Sequence, residues 1–291
     1  MQVSNMSITP VDAKMANVDV ITPWLGGARD FVATSCVKIG FDVLMGGSGT
    51  AATAPAWGQA LIGCAMAETT GLLTPNRVEY DPITDNMKTV SIYYHHDGVL
   101  HKALGCLGAP KLSLKSGEVP KFSFEFTGVD GIPTAVANAT AVLTAWKTPP
   151  TITKANVIDI TLGGTYATGA ITGGTVYNSS GMTLDWGNTV AFSPLLTTEA
   201  VVLSNRSVKG TMELELSAAQ EVTQIAAVKA NTLTTLAMTI GNATGNKILI
   251  FSPAVQFKNP KKVDYNGQLL IGFDLDLIPV AGNDEIKIVS L

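Results

Sequence analysis

Apolar and polar residues alternate with a period of two along much of this chain. Such alternation is typical of β-strands that bury one face and leave the other face polar. It occurs at residues 37–44, 89–94, 111–115, 121–126, 212–216, 233–240, 247–251 and 272–277. The pattern therefore predicts a mainly β protein.

Two stretches have helical spacing instead. Residues 54–68 place apolar side chains three and four positions apart, and residues 217–231 place Val222 and Val228 on one stripe. Ser217 opens the second stretch, and serine favours an N-cap because its hydroxyl accepts a hydrogen bond from the first turn. We predict one helix in each stretch.

The predicted elements come in the same order twice. After Pro23, and again after Pro194, the chain shows a strand, a helix, a strand, a hairpin, a strand and a final strand. The two copies share element order more than residues, and the first carries an extra segment at 69–86. We interpret the chain as an internal duplication.

The segment 144–156 separates the two copies, and a Pro-Pro pair within it marks a boundary. The sequence therefore predicts a first domain at 1–148 and a second domain at 149–291. Residues 160–181 of the second domain are rich in Gly and Thr, with Val and Tyr that favour extended backbone. We predict a β extension there rather than a low-complexity linker.

Charged residues are scarce, at 14% of 291 residues, against roughly 25% in a typical soluble domain. The net charge of −4 leaves no basic face for phosphates, which argues against a nucleic-acid reader. A charge-poor surface suits a protein that contacts copies of itself, because buried charges are costly unless they are paired. An ordinary secreted β protein is the alternative.

The first ten residues, MQVSNMSITP, lack the charged and apolar regions of a secretory signal. No apolar run approaches the ~18 residues that a membrane span needs. Cys36, Cys64 and Cys106 are odd in number and have no Cys-x-x-Cys spacing, which favours free thiols in a reducing compartment and no zinc site. We expect a soluble protein made in the cytosol, without membrane contact and without cofactors.

All three histidines fall within residues 93–101, around Asp97 and Gly98. Asp-Gly between two alternating runs is a strong signal for a two-residue type I′ hairpin. In that hairpin His96 and His101 share a face, whereas zinc needs three or four ligands. A metal site and a catalytic cluster are the alternatives, but the pattern favours a polar hairpin at a subunit contact. No other cluster predicts catalysis, so we expect no enzyme.

Several apolar strands carry carboxylates on their polar face. If both copies turn these faces to a common space, that space is acidic; ordinary solvated strand faces are the alternative. Lysines on similar faces would make this space less acidic: Lys38, Lys111, Lys115, Lys121 and Lys209. The candidate carboxylates that would face this common space are Asp42, Glu125, Glu213, Glu215, Asp274 and Asp276.

The layout resembles a known family in four stretches. APAWGQALIGCAMAE (54–68) is followed by VEYDP, then by VSIYYHHDGVLHKALGCLGAPKLSLKSGEVPKFSFEFTG (90–128). The fourth stretch is NKILIFSPAVQFKNPKKVDYNGQLLIGFDLDLIPVAGNDEIKI (246–288). Together they resemble the major tail tube proteins of long-tailed, siphovirus-type bacteriophages, over about 30–145 and 190–291.

The resemblance implies a mainly β fold: two tandem tail-tube-type β-sandwich or barrel domains, each flanked by one α-helix. It implies a structural virion protein that polymerises as stacked rings into the tail tube, the conduit for DNA ejection. The two-copy version implies a ring of three with pseudo-sixfold symmetry, with a hexamer as the alternative. A β-rich phage decoration or adhesin module that does not polymerise is the rival function.

The resemblance also implies partners. These are neighbouring copies in the ring, the rings above and below, a tape measure protein in the lumen, and the terminator and distal tail proteins. Double-stranded DNA would pass transiently, and the protein would be made in the host bacterial cytoplasm. The candidate contacts between subunits or rings are Gly46, Gly47, Ser48, Gly49, Pro75, Asn76, His95, His96, Asp97 and Gly98.

Overall fold

The computed structural model describes residues 1–18, 20–21, 23–143 and 147–291, with all of their side chains except those of 158 and 159. The start of the predicted boundary segment, 144–146, lies outside these residues. The strands are β1 Ser4–Asn17, β2 Asp30–Leu44, β3 Met66–Leu72, β4 Arg77–Pro82, β5 Val90–His96, β6 Val99–Lys115, β7 Lys121–Ala135, β8 Val157–Leu162, β9 Thr165–Ala167, β10 Ala170–Thr172, β11 Thr175–Val176, β12 Asn178–Asp185, β13 Thr189–Pro194, β14 Glu199–Asn205, β15 Lys209–Glu215, β16 Leu233–Ile240, β17 Ile248–Tyr265, β18 Gln268–Leu277 and β19 Lys287–Ser290. The helices are α1 Gly58–Ile62 and α2 Ala218–Lys229.

Fifteen of these strands form one sheet. Its main path runs β1-β2-β7-β6-β12-β15-β18-β17-β16-β8-β11, and every pairing along it is antiparallel. Strand β5 pairs with β6, and β19 joins β17 to the β3–β4 hairpin. The remaining strands form two separate hairpins, β9–β10 and β13–β14. The prediction of a mainly β protein is confirmed.

The same connectivity occurs twice in this sheet. Strands β2, β7, β6 and β5 are neighbours in that order, and so are β15, β18, β17 and β16. In both sets the helix follows the first strand, and the third and fourth strands of the chain order form a hairpin. Strand β12 lies between the sets, pairing with β6 on one edge and β15 on the other.

One apolar core lies behind both sets of strands. It includes Phe41 and Phe124 from the first set and Met212 and Phe273 from the second. Trp57, from the segment that leads into α1, packs on Phe122 with ring centroids 5.4 Å apart. The alternation predicted this burial because residues of one parity on each strand all turn to the same side.

The two helices differ in how well their observed extents match the predicted stretches. Helix α2 starts as expected, with a capping box in which the Ser217 hydroxyl and the Gln220 side chain satisfy each other's backbone N–H groups. Its predicted apolar stripe is only partly buried: Val228 packs against the core, whereas Val222 is 71% exposed. The helix predicted within 54–68 is present but shorter than expected: α1 covers five residues, and the chain then turns at Ala65, with φ of 60°, into strand β3.

Three further segments carry structure that the alternation did not predict. Strand β1 pairs along β2, although Pro10 interrupts its pattern; an edge strand tolerates proline, which lacks an N–H. The extra segment 69–86 contains most of the β3–β4 hairpin. The Gly- and Thr-rich stretch 160–181 contains the β9–β10 hairpin, but it also continues into β12 at the centre of the large sheet.

Candidate assembly surfaces

The large sheet has a continuous polar face opposite its apolar core. Directly opposite residues in an antiparallel pair lie on the same face, so a row can be followed from strand to strand. One row crosses seven strands and consists of Asp42, Ser123, Lys111, Asp185, Lys209, Asp276 and Gln256. Both sets of strands therefore present their polar residues on one shared surface.

All six candidate carboxylates lie on this polar face, as does Asp185, which the sequence analysis missed because β12 was not predicted as a strand. Lysines alternate with them on the same face: Lys38, Lys111, Lys115, Lys121, Lys209 and Lys258. Lys111 lies 3.3 Å from Asp185, and Lys258 forms an ion pair with Asp276. The face is close to charge balance rather than strongly acidic.

Asp42 is the most buried of the six carboxylates, at 8% exposure. Its oxygens accept hydrogen bonds from Ser123 Oγ at 2.5 Å, Asn5 Nδ2 at 2.7 Å and Lys121 Nζ at 3.2 Å. Burial raises its pKa, but these hydrogen bonds outweigh burial and hold the pKa below its ordinary value. Asp42 therefore joins β1, β2 and β7 within the subunit.

Three of the other carboxylates are held by neutral donors. Glu213 accepts a hydrogen bond from Ser180, Glu215 from Asn178 at 2.8 Å, and Asp274 from Asn259 at 2.8 Å. Glu125 is exposed on β7. These four side chains lie on the open side of the sheet.

The candidate glycine loop packs inside the subunit. Gly46 and Gly47 are buried, and the Gly47 N–H donates to Asn246 Oδ1 at 2.7 Å. The Gly49 N–H donates to the Gly245 carbonyl at 2.8 Å, which ties the loop to the turn before β17. Only Gly49 of this loop, with the partly exposed Ser48, reaches the surface. Pro75 and Asn76 are exposed at the tip of the β3–β4 hairpin.

The histidine hairpin has the predicted geometry. His95 lies opposite Leu100 and His96 opposite Val99, and both Asp97 and Gly98 have positive φ, as a type I′ turn requires. The rings of Tyr94 and His101 stack with centroids 4.7 Å apart. Among the described residues no group of three or more His, Cys, Asp or Glu side chains could hold a metal ion.

Two loops expose large apolar side chains that the strand pattern did not single out. Leu195 and Leu196 form the tip of the β13–β14 hairpin, at 65% and 107% exposure. Ile21, Trp24 and Leu25 are exposed between β1 and β2. Apolar residues at loop tips next to Pro or Gly, as in SPLLTTE and PWLGG, were the available sequence signal. These tips are therefore candidate contact sites.

A buried ionic cluster joins β4 to the C-terminal strand β19. Glu79 accepts from Arg77 Nε at 2.6 Å, Tyr166 Oη at 2.6 Å and Lys287 Nζ at 2.8 Å, and Lys287 also bonds Asp81. Burial raises the pKa of Glu79, but the three donors lower it to about 2. The cluster fixes the β3–β4 hairpin to β9 and β19.

Comparison of the sequence with known protein families identifies the kind of protein that carries these surfaces. The sequence model of the family described as Phage tail tube protein matches residues 23–277. The chain belongs to the phage tail tube protein family. No curated protein matches this tube protein in sequence. It is thus a structural component of a virion tail, and no helix in its described part is long and apolar enough to cross a membrane.

Proposed function

We propose that this tube protein polymerises as stacked rings around a channel and that DNA leaves the virion through this channel. The observation that carries the proposal is the continuous sheet β1-β2-β7-β6-β12-β15-β18-β17, with one face buried by the rest of the chain and one face polar. If the sheet closes with its covering layer outside, the polar face lines the lumen. Closure also removes free strand edges, which otherwise promote uncontrolled association.

The repeated connectivity supports a two-copy subunit, with domains at 1–148 and 149–291, and a ring of three. Three chains, each with eight strands around the channel, give twenty-four strands. At a strand spacing of ~4.8 Å the backbone circumference is about 115 Å before strand tilt widens it. Cylinders of roughly 16 strands or more already hold an aqueous channel. Six chains would double this circumference.

The charges on the polar face suit passage of a polyanion. DNA carries one phosphate charge per ~1.7 Å of axis, and a basic wall would hold it by releasing counterions. Here Lys121 pairs with Asp42, Lys111 with Asp185 and Lys258 with Asp276. Glu125 and Asp274 would face the lumen without a lysine partner among the ion pairs of the described residues. A wall near charge balance would hold phosphates less strongly than a basic wall.

Stacking of rings uses the exposed tips, in this proposal. Pro75 and Asn76 are exposed at the β3–β4 tip, as are His96 and Asp97 in the histidine hairpin. Leu195 and Leu196 are exposed at the β13–β14 tip. These surfaces would contact the rings above and below. At the ends of the tube they would contact the terminator and the distal tail protein. The tape measure protein would fill the lumen before ejection. The protein would be synthesised in the host bacterial cytoplasm before it assembles.

Negative-stain microscopy of the concentrated protein tests the proposal. Hollow tubes with a regular ring repeat are the expected result. Discrete compact particles at every concentration would contradict polymerisation and favour a decoration or adhesin module.

A further inference from the structure

Strand β12 is an internal junction between the two copies. On one edge its Thr183 lies opposite Thr211 of β15, and on its other edge the same residue lies opposite Ser113 of β6. β12 thus precedes the first strand of the second copy and connects that copy to the third strand of the first copy. The chain contains one complete example of how two copies join side by side.

Strand β1 stands before the first copy as β12 stands before the second. β1 pairs antiparallel with β2, and β12 pairs antiparallel with β15. In each pair the register is irregular opposite a carboxylate. At that point Asn5 donates to Asp42, and Ser180 donates to Glu213. Superposing Asp42 on Glu213 makes Ser7 the counterpart of Thr183, and Met6 the counterpart of Met182.

These counterparts differ in burial because only one of the two strands has a second neighbour. Met182 is 2% exposed, whereas Met6 is 51% exposed. Among the described residues β1 pairs with β2 alone, so its outer edge has no partner strand within the subunit. An unpaired edge of this length is a template for another strand.

The complementary free edge is on β17. Beyond Gln256 this strand pairs with β18 only, within the described part of the chain. The matching edge of β6 is the one that β12 occupies, from Lys111 to Lys115. Pro110 precedes Lys111, and Pro260 precedes Lys261 in the same position relative to the hairpin turn.

We propose that β1 of one subunit pairs antiparallel with residues 261–265 of β17 in the next subunit, in the register of the internal junction. Ser7 then lies opposite Val263, and Thr9 opposite Lys261. Pro10 and Pro260 meet at one end and stop the pairing there, since neither has an N–H to donate. This inference rests on the proposed function, because a second copy must lie beside the first.

Cysteine cross-linking tests the register, since directly opposite Cβ atoms in an antiparallel pair are about 5 Å apart. The native cysteines are buried, so the wild-type chain serves as the background. We expect S7C/V263C to cross-link between chains under oxidation or with a short thiol cross-linker, and the products to stop at three times the chain mass. T183C/S113C should cross-link within one chain, and S7C/E199C should not cross-link.

The outcomes separate this inference from the proposed function. If tubes form but S7C/V263C cross-links no better than S7C/E199C, the junction is wrong and the tube stands. If only discrete particles form and no cross-link appears, both fail. If particles without tubes give the three-chain product, the junction stands and stacking fails.

A measurement on the wild-type chain covers the case in which the variants do not fold. Amide hydrogens of residues 4–9 and 261–265 should exchange more slowly in tubes than in dilute subunits, because new strand pairing protects them. Equal exchange in the two states would overturn the junction.

Discussion

At the scale of single residues, a buried carboxylate makes the stability of the unassembled subunit depend on pH. The pKa of Glu79 is about 2 in the folded chain, against an ordinary value of 4.5. A lowered carboxylate pKa stabilises the fold above the unfolded value and is lost as pH falls. Glu79 therefore contributes on the order of 2–3 kcal/mol at neutral pH, which disappears between about pH 4.5 and pH 2.

Glu79→Gln should lower the free energy of unfolding at pH 7 by about 3 kcal/mol, since it leaves Arg77 and Lys287 buried with one acceptor fewer. It should also flatten the fall in stability below pH 4.5. Urea unfolding at pH 7 and pH 3 measures both effects, with the exposed Glu199→Gln as the control. Equal stability of the two variants would show that the cluster does not stabilise the fold.

The close approach of Gly47 to the backbone of Gly245 leads to a second prediction at this scale. A Cβ on Gly47 would lie 2.1 Å from the Gly245 carbonyl oxygen, so Gly47→Ala must push the glycine loop away from the turn before β17. We expect a loss of about 1–3 kcal/mol in the free energy of unfolding, as for other overpacked sites. Gly27→Ala is the matched control, because a Cβ there meets nothing within 4 Å. Thermal unfolding of both variants decides it, and equal midpoints would contradict the tight contact.

At the scale of elements, the exposed β13–β14 tip separates folding from assembly. The double variant Leu195→Asp with Leu196→Asp removes no buried contact, so unfolding should change by less than about 0.5 kcal/mol. Because the tip contacts another ring in our proposal, tubes should require a higher protein concentration. Val222→Asp, at another exposed apolar position, is the control for added charge. Sedimentation across a concentration series measures this, and unchanged tube formation would remove the tip from the ring contact.

The elements also show what the sequence could predict. Strands β2, β7, β16 and β18 were predictable because one face of each is mainly apolar, and α2 because Ser217 caps it. Strands β1 and β12 were not predictable, since SNMSITPVDAKMAN and NSSGMTLD alternate weakly and are stabilised by distant partners. The helix at 54–68 was overestimated because its apolar residues pack in a buried turn as well as in α1.

In the candidate site, too, local alternation was predictable and pairing with distant strands was not. The six carboxylates could be predicted on polar strand faces because local alternation fixes the face. Asp185 and Lys258 escaped prediction, since one lies on an unpredicted strand and the other lies beyond the predicted end of β17. That this shared face borders the channel remains a prediction.

At the scale of the whole molecule, the balance of charge on the polar face should control DNA passage. Replacing Glu125, Glu215 and Asp274 together by lysine creates a basic lumen that retains phosphates. We expect tubes to form normally and DNA ejection from virions to slow, more strongly at low salt. Replacement of the same three residues by glutamine is the matched control. Unchanged ejection, with these side chains shown to face the channel, would contradict the electrostatic part.

The central claim is that three two-copy subunits close one sheet around a channel. Cryo-electron microscopy of assembled tubes tests it most directly. Our account predicts three chains per ring, with eight strands of each around the lumen and the side chains of Glu213 and Asp274 pointing towards the axis. Six chains per ring, or carboxylates pointing to the outer surface, would contradict it.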